Sequence, residues 1–284
     1  MANVITGSSR QNTEGGLIAF ALFFCCLIPV SMLLAAGASA KTSEKYDRDE
    51  ALQISQEAIG KPLGNYRFTA ADGREVSLGD YRGTPLLISM IFTSCHHICP
   101  TTTKHLLEAS EAAREVLGKN SFSIVSIGFD TSNDTPEAMQ AFARQQGIDA
   151  GRWRFLSATP ETITRLSQDL GFQFFASPRG FDHLIQTSLI DRQGTVYSQV
   201  YGMDFELPSL VEPLKKLVLN RPESAGHPIA GLLDRVRLFC TVYNPATGRY
   251  EIDNSLFFQI ASGFVVVFGI SLYLFREARR TRRD

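Results

Sequence analysis

The sequence has few cysteines, almost no net charge and no internal repeat, and each absence excludes a class of protein. Five cysteines in 284 residues are too few for a small disulfide-stapled scaffold. A hydrophobic content of 44% with 22 glycines and 12 prolines excludes disordered and collagen-like chains. A formal charge of -1 gives the chain no bulk attraction for nucleic acid, so we expect no nucleic-acid partner.

Charged residues are also missing from two long segments near the ends. The 20 residues from 17 to 36 include 18 apolar ones and no charge, and residues 256–275 contain three polar side chains. Twenty helical residues span about 30 Å, the thickness of a bilayer core, so both segments are predicted to be transmembrane helices. Residues 1–40 end in Ala-Ser-Ala, the form of a signal-peptidase site, so they are either an anchor or a cleaved signal segment.

Five arginines follow the second apolar segment within residues 276–284. Short basic segments stay on the cytoplasmic side of a membrane, so the C-terminus is predicted to be a basic cytoplasmic tail. The part between the two helices would then lie outside, on the periplasmic or equivalent extracytoplasmic face of the cytoplasmic (inner) membrane. We divide it into a domain over residues 41–222 and an extension or linker over residues 223–255.

The central part alternates predicted strands with predicted helices, which is typical of an α/β domain whose central sheet is covered on both faces. Two threonine-proline pairs mark helix starts at Thr135 and Thr159. The predicted strands are 66–69, 74–78, 85–92, 122–129, 153–156, 184–190 and 195–201, and the predicted helices are 101–117, 136–146, one from 160, and 208–219.

Two cysteines lie where the first buried strand meets the following helix. Cys95 and Cys99 are four residues apart, so one helical turn would place their thiols on one face. The unpaired N–H groups at a helix start favour thiolates, which makes the pair redox-active, able to bind a soft metal, or both. A structural disulfide is the alternative, although so short a loop constrains little chain entropy. The C-x-x-C-H of a c-type haem site and the second cysteine pair of a structural zinc site are absent.

Three separated motifs together resemble the Sco/SenC family. They are FTSCHHICP at 92–100, FDTSNDTPE at 129–137, and FDH at 181–183 leading into a strand. The resemblance covers roughly residues 55–220 and implies a thioredoxin-like domain with a central mixed sheet. It also implies a copper-binding assembly factor for the binuclear copper centre of cytochrome c oxidase, with thiol-disulfide chemistry as a related or alternative role.

Carried onto this sequence, the resemblance makes Cys95, Cys99 and His183 the copper ligands, with Asp130 and Asp182 as supporting residues. Two thiolates favour Cu(I), and an added imidazole also suits Cu(II). Cys95 and Cys99 would be the redox dithiol as well. The implied partners are subunit II of cytochrome c oxidase, other copper chaperones and the membrane.

Other potential ligands fall outside this pattern. His96 and His97 are extra imidazoles that are either ordinary exposed side chains or transient copper contacts, and we expect His105 to be structural. We expect Cys25 and Cys26 to be buried hydrophobic residues of the first apolar segment, and Cys240 to be a packed thiol or a metal relay.

Three functions are consistent with these residues. The first is a metallochaperone that delivers copper to subunit II, and the alternative is a thiol-disulfide reductase that keeps the acceptor cysteines reduced. A peroxidase of thioredoxin-like fold ranks last, because the sequence places no obvious arginine beside either thiol.

Overall fold

A computed structural model describes residues 46–148, 153–219, 241–245, 247–252 and 255–281, which belong to one compact unit. The predicted N-terminal anchor, with Cys25 and Cys26, lies outside the described residues, and so does Cys240.

The central feature is a seven-stranded mixed sheet. Seven of the eleven strands in the described part of the chain form it. The eleven are β1 Arg67–Ala70, β2 Glu75–Ser77, β3 Leu86–Ile91, β4 Ser123–Gly128, β5 Trp153–Ser157, β6 Phe174–Ser177, β7 Gly180–His183, β8 Gln186–Ile190, β9 Val196–Tyr201, β10 Thr241–Asn244 and β11 Arg249–Ile252. The sheet order is β2-β1-β5-β4-β3-β8-β9. The neighbours β3, β4 and β5 run parallel, and the other pairs are antiparallel. The prediction of an α/β domain with a central mixed sheet is confirmed.

Six α-helices accompany the strands in the described part of the chain. They are α1 Arg48–Glu57, α2 Ile98–Leu117, α3 Pro136–Gln145, α4 Pro160–Leu170, α5 Leu207–Leu219 and α6 Ser255–Thr281. Both predicted helix starts are confirmed. Thr135 Oγ1 accepts a hydrogen bond from Ala138 N at 3.3 Å, and Thr159 Oγ1 accepts one from Thr162 N at 3.3 Å. Each threonine thus pairs an amide that the helix itself leaves unpaired.

The middle of the sheet is buried on both faces. Every residue of β3 is buried, as its unbroken apolar run predicts, and five of the six residues of β4 are buried. β3 ends at Ile91 and β4 at Gly128, and the loops that contain the cysteine pair and the FDTSNDTPE motif begin directly after them.

The β6–β7 pair is missing from the sequence prediction. β6 and β7 form a separate two-stranded ribbon that is not part of the main sheet. Its residues are mostly half-buried and show no clean alternation of buried and exposed positions, so the pattern gave no strand signal. The ribbon matters because it carries Asp182 and His183.

The predicted extension over residues 223–255 contains the hairpin β10–β11, attached to α5. Tyr250 Oη donates to Glu212 Oε1 at 3.0 Å, and Lys215 Nζ donates to the carbonyl oxygen of Thr241 at 2.6 Å. The hairpin therefore packs against the domain, which a plain linker would not do.

Helix α6 overlaps the second apolar segment and continues through most of the arginine cluster. Its described side chains from 261 to 276 are exposed. Within the part of the chain that the structure describes, no helix has both the length and the apolar character needed to cross a membrane.

Helix α1 packs closely against the end of α4. Gly171 ends α4 with φ 62°, and a Cβ built on it would lie 2.4 Å from the carbonyl oxygen of Ile54. The Ser55 and Tyr201 hydroxyls, 3.0 Å apart, join the same helix to β9. Glycine is thus required at position 171 for two reasons: the backbone is left-handed, and two chain segments approach each other closely.

Gly171→Ala is expected to destabilise the protein more than Gly147→Ala. Both glycines have positive φ, but a Cβ on Gly147 would meet nothing within 4 Å. The backbone term of roughly 1–2 kcal/mol is common to both variants, and the clash with α1 adds about 1–3 kcal/mol only at Gly171. Urea unfolding of the two variants measures the difference, and equal losses would contradict the close packing of α1 on α4.

Candidate functional site

The site lies at the carboxyl ends of the parallel strands β3 and β4. Ile91 and Gly128, the last residues of these strands, are paired in register. The Phe129 amide then donates to the Ile91 carbonyl at 3.0 Å. Parallel pairing therefore brings the cysteine loop after β3 beside the acidic loop after β4, a place where α/β sheets commonly bind ligands.

The two thiols form an adjacent pair at the start of α2. The Cys99 amide donates to Cys95 Sγ at 3.2 Å. The helix begins at Ile98 after His97, whose side chain makes no capping hydrogen bond, so the Cys95 sulfur accepts one of the unpaired N–H groups instead. Both cysteines are free, with Cys95 half-buried and Cys99 only 4% exposed. The predicted juxtaposition is confirmed, and only Cys95 is open to solvent.

The two thiols differ in pKa because their surroundings differ. A hydrogen bond from the Cys99 thiol, helped by the backbone N–H groups of Cys99, His97 and Ile98, lowers the pKa of Cys95 to about 5 although burial opposes the change. The same hydrogen bond, together with burial, raises the pKa of Cys99. At neutral pH Cys95 is therefore a thiolate, and Cys99 holds the proton that the pair shares.

His183, at the end of β7, presents a neutral imidazole. Its Nδ1 lies 3.0 Å from the carbonyl oxygen of Leu184, and a carbonyl can only accept, so Nδ1 carries the hydrogen and Nε2 keeps its lone pair. Burial lowers the pKa of His183, against the smaller opposing effects of the Leu184 carbonyl and the nearby Cys95. A neutral imidazole whose other nitrogen is held by a carbonyl is the usual form of a metal-binding histidine.

Aromatic rings fix the position of His183. Its ring centroid lies 5.4 Å from that of Phe129, 5.5 Å from Phe172 and 6.1 Å from Phe92. The turn of the ribbon rests on Phe92, where a Cβ on Gly180 (φ 108°) would come within 2.9 Å of the ring. Since Phe92 and Phe129 directly follow β3 and β4, the imidazole is packed against the starts of both functional loops.

The acidic residue that orders these loops is Asp134. Its Oδ1 accepts hydrogen bonds from the amide and the hydroxyl of Thr93, each at 2.7 Å, and its Oδ2 accepts one from the Asp130 amide at 2.9 Å. Burial raises the pKa of this carboxyl, and the donated hydrogen bonds offset part of that rise. A Cβ on Gly128 would lie 2.4 Å from the Asp134 Cβ, so the strand approaches the carboxylate closely.

The two predicted supporting residues act differently from Asp134. The Asp130 carboxylate accepts a hydrogen bond from Asn133 Nδ2 at 2.8 Å, within its own loop. Asp182 lies on the ribbon opposite Phe175 and acts electrostatically on Tyr46. Asp134 is the second aspartate of the FDTSNDTPE motif, and its bridging role was missed because a motif does not show which carboxylate is buried.

The remaining histidines near the cysteines have simple environments. His96 and His97 are exposed. His105 Nε2 lies 2.7 Å from the carbonyl oxygen of Phe205, and its ring packs against the Phe205 ring at 4.7 Å. His105 therefore joins α2 to a neighbouring loop, in agreement with the structural role expected for it.

The donor atoms of the site fit a soft metal ion. Two sulfurs, one of them a thiolate, stand together, and a neutral imidazole lies close enough to interact electrostatically with Cys95. Over the described ranges, no three His, Cys, Asp or Glu side chains are grouped so as to hold a metal ion. The three-ligand set of Cys95, Cys99 and His183 thus stays a prediction.

Comparisons with known proteins agree on one family. The sequence model of the SCO1/SenC family matches residues 55–218. The SCO1 protein homolog of Bacillus subtilis (strain 168) is 27% identical over 144 residues, which are 49% of this chain and 73% of that protein. The crystal structure of a SCO1/SenC family lipoprotein from Bacillus anthracis str. Ames is similar, with 26% identity, a TM-score of 0.52 and coverage of 56% of this chain and 96% of that one.

A third similar structure is that of BsSco, described as a member of the Sco family of cytochrome c oxidase assembly proteins and studied for a disulfide switch. It is 22% identical, covers 57% of this chain and 96% of its own, and has a TM-score of 0.52. This likeness supports the predicted thioredoxin-like fold.

We expect Cys95 to react as a thiolate well below the ordinary pKa of a cysteine. Alkylation of the full-length chain by iodoacetamide, followed by mass spectrometry of the Cys95 peptide, should be half-maximal near pH 5. Cys99→Ala removes the main cause of the lowered pKa and should move the midpoint upward. Cys99→Ser, which keeps a hydrogen-bond donor, should move it less. A midpoint near the ordinary value of 9.0 in the wild-type chain would contradict the hydrogen-bonded pair.

Asp134→Asn is expected to destabilise the protein by about 1–3 kcal/mol, because an amide cannot accept hydrogen bonds on both sides and leaves a buried donor unpaired. The matched control is Asp130→Asn, which alters one exposed side-chain contact and should change stability by at most about 0.5 kcal/mol. Urea unfolding measures both values. A larger loss of stability in Asp130→Asn than in Asp134→Asn would contradict the conclusion that the buried Asp134 carboxylate orders the two loops.

Proposed function

The chain belongs to the SCO1/SenC family, and on that premise we propose that it is a copper-binding assembly factor that delivers copper to the binuclear centre of cytochrome c oxidase subunit II. The observation that carries the proposal is the adjacent Cys95–Cys99 pair with a neutral His183 beside it. The description of BsSco as one of the cytochrome c oxidase assembly proteins supports a role in the assembly of that oxidase.

Copper is the cargo of this proposed reaction. Cys95 would offer its thiolate without first losing a proton, whereas Cys99 would release its proton when copper binds. The two sulfurs suit Cu(I), and the free Nε2 of His183 would provide a third donor that also suits Cu(II). The chain would therefore accept either oxidation state, with His183 more important for Cu(II).

Release would begin at the exposed sulfur. Cys95 is half-buried and Cys99 almost fully buried, so an incoming ligand reaches Cys95 first. A site with few ligands on a surface loop allows cysteine and histidine ligands of the acceptor to replace its own one at a time. A closed four-ligand structural site would resist such exchange.

The same two sulfurs support a second candidate, a thiol-disulfide reductase. The Cys95 thiolate would attack an acceptor disulfide, forming a mixed disulfide and releasing one acceptor thiolate. Cys99, after losing its proton, would attack Cys95 Sγ and release the second acceptor thiolate. Two electrons would pass to the acceptor, and this chain would be left with a Cys95–Cys99 disulfide. The lowered pKa of Cys95 beside a buried partner thiol favours this candidate.

We also propose that the domain works at a membrane, on its extracytoplasmic side. The supporting features are the uncharged segment over residues 17–36, the apolar segment 256–275 and the arginines after it. The likeness to a SCO1/SenC family lipoprotein agrees with attachment to a membrane.

Copper titration of the reduced full-length chain tests the proposal. The wild type should bind one copper ion, and Cys95→Ala and Cys99→Ala should each abolish this binding. His183→Ala should weaken Cu(II) binding by at least about tenfold. His105→Ala removes an imidazole that bonds to Phe205 and should leave both affinities unchanged. Unaltered copper binding in all three site variants would overturn the proposal.

Oxidase assembly in cells separates the two candidates. Copper delivery needs Cys95, Cys99 and His183, whereas disulfide reduction needs only the two cysteines. Assembly that fails in all three variants supports delivery. Assembly that survives His183→Ala but fails without either cysteine supports the reductase.

A further inference from the structure

Tyr46, the first residue that the structure describes, lies against the ribbon that carries His183. Its ring centroid is 6.2 Å from that of Phe175 on β6. Tyr46 precedes residues 55–218, the range that matches the family, so the contact comes from a part of the chain outside that match.

The ribbon has two distinct faces. Phe174 pairs with His183 and Phe175 pairs with Asp182. Side chains alternate along a strand, so Phe174 and His183 share one face while Phe175 and Asp182 share the other. The imidazole and the Tyr46 contact are therefore on opposite sides of the same two strands.

The inner face is held by the aromatic cluster around His183. Phe174 lies 4.8 Å from Phe129, and Phe181 lies 5.4 Å from Phe92, measured between ring centroids. The outer face has Phe175 and Asp182, and Tyr46 interacts with both of them. The ribbon does not pair with the main sheet, so these two sets of contacts restrict its motion in place of a β-ladder.

Tyr46 is itself held in a fixed position. The next residue, Asp47, caps α1 through hydrogen bonds from the amides of Asp49 at 2.9 Å and Glu50 at 3.2 Å. At the other end of α1, Ser55 contacts Tyr201, and Gly171 allows the close approach to α4. Because the helix is held at both ends, the Tyr46 ring next to it can limit movement of the ribbon away from the aromatic cluster.

We propose that Tyr46 is a positioning residue for His183: by packing on the outer face of β6–β7 it holds the imidazole against the aromatic cluster and towards the two sulfurs. The inference rests on the proposed copper function. It goes beyond that function by assigning part of the ligand geometry to the segment that precedes the family domain.

The proposal predicts different effects on the binding of Cu(I) and Cu(II). Cu(I) is satisfied by the two thiolates, which the cysteine loop and the start of α2 position, whereas Cu(II) also needs the imidazole that the ribbon positions. An aromatic pair is worth about 0.5–1.5 kcal/mol, which corresponds to roughly two- to tenfold in affinity. Loss of the Tyr46 ring should weaken Cu(II) binding by that factor and leave Cu(I) binding unchanged.

The experiment compares three variants of the full-length chain. Tyr46→Ala removes the ring and Tyr46→Phe keeps it. The matched control Tyr243→Ala removes a tyrosine ring that pairs with Tyr250 at 5.5 Å in the β10–β11 hairpin, away from the ribbon. Competition titrations measure Cu(I) and Cu(II) affinities. Hydrogen exchange of the β6–β7 amides in the copper-free chain provides a readout that does not depend on the metal.

Tyr46→Ala should weaken Cu(II) binding two- to tenfold and speed exchange in the ribbon, while Tyr46→Phe and Tyr243→Ala should match the wild type in both. Wild-type behaviour of Tyr46→Ala, or an equal loss in Tyr243→Ala, would overturn the inference. Insensitivity of Cu(II) binding to His183→Ala would instead refute the three-ligand set of the proposed function, and the exchange data would still test whether Tyr46 holds the ribbon.

Discussion

The buried carboxylate of Asp134 joins the two loops on which the site depends. It accepts hydrogen bonds from Thr93 in the cysteine loop and from Asp130 in its own loop. A buried carboxylate is stable only when its oxygens accept hydrogen bonds. Moving either partner away would leave it unpaired, and the free-energy cost of that keeps both loops in place. Thr93 lies two residues before Cys95, and the geometry of the thiol pair therefore begins from this bridge.

The thiol pair and the histidine are supported by different parts of the fold. The start of α2 brings Cys95 and Cys99 together, and the helix amides stabilise one thiolate. His183 is on a ribbon outside the main sheet and is positioned by aromatic packing. The two sulfurs are thus held by hydrogen bonds at a helix start, while the imidazole is held by side-chain packing on the ribbon. Such a division suits the proposed function, in which copper is first held and then released.

Local chemistry made much of the fold predictable. The apolar run of β3 and the threonine-proline helix starts are short-range signals, and the structure confirms both. The β6–β7 ribbon had no such signal, because its residues pack against separate elements on each face and do not alternate between core and solvent. The hairpin in the extension was missed as well, since its attachment to Glu212 and Lys215 of α5 is a long-range contact.

The sequence by itself specified the candidate donor atoms: the spacing of Cys95 and Cys99 predicted neighbouring sulfurs, and the resemblance to a family pointed to His183. Only the tertiary structure decided which sulfur is the thiolate, which nitrogen of His183 keeps its lone pair and which aspartate joins the loops. These properties depend on burial and on hydrogen-bond partners from other elements: the Leu184 carbonyl fixes the imidazole tautomer, and Thr93 pairs with Asp134 across two parallel strands. Residue order specifies the groups, but their protonation and orientation arise only when the folded chain removes water and supplies the partners.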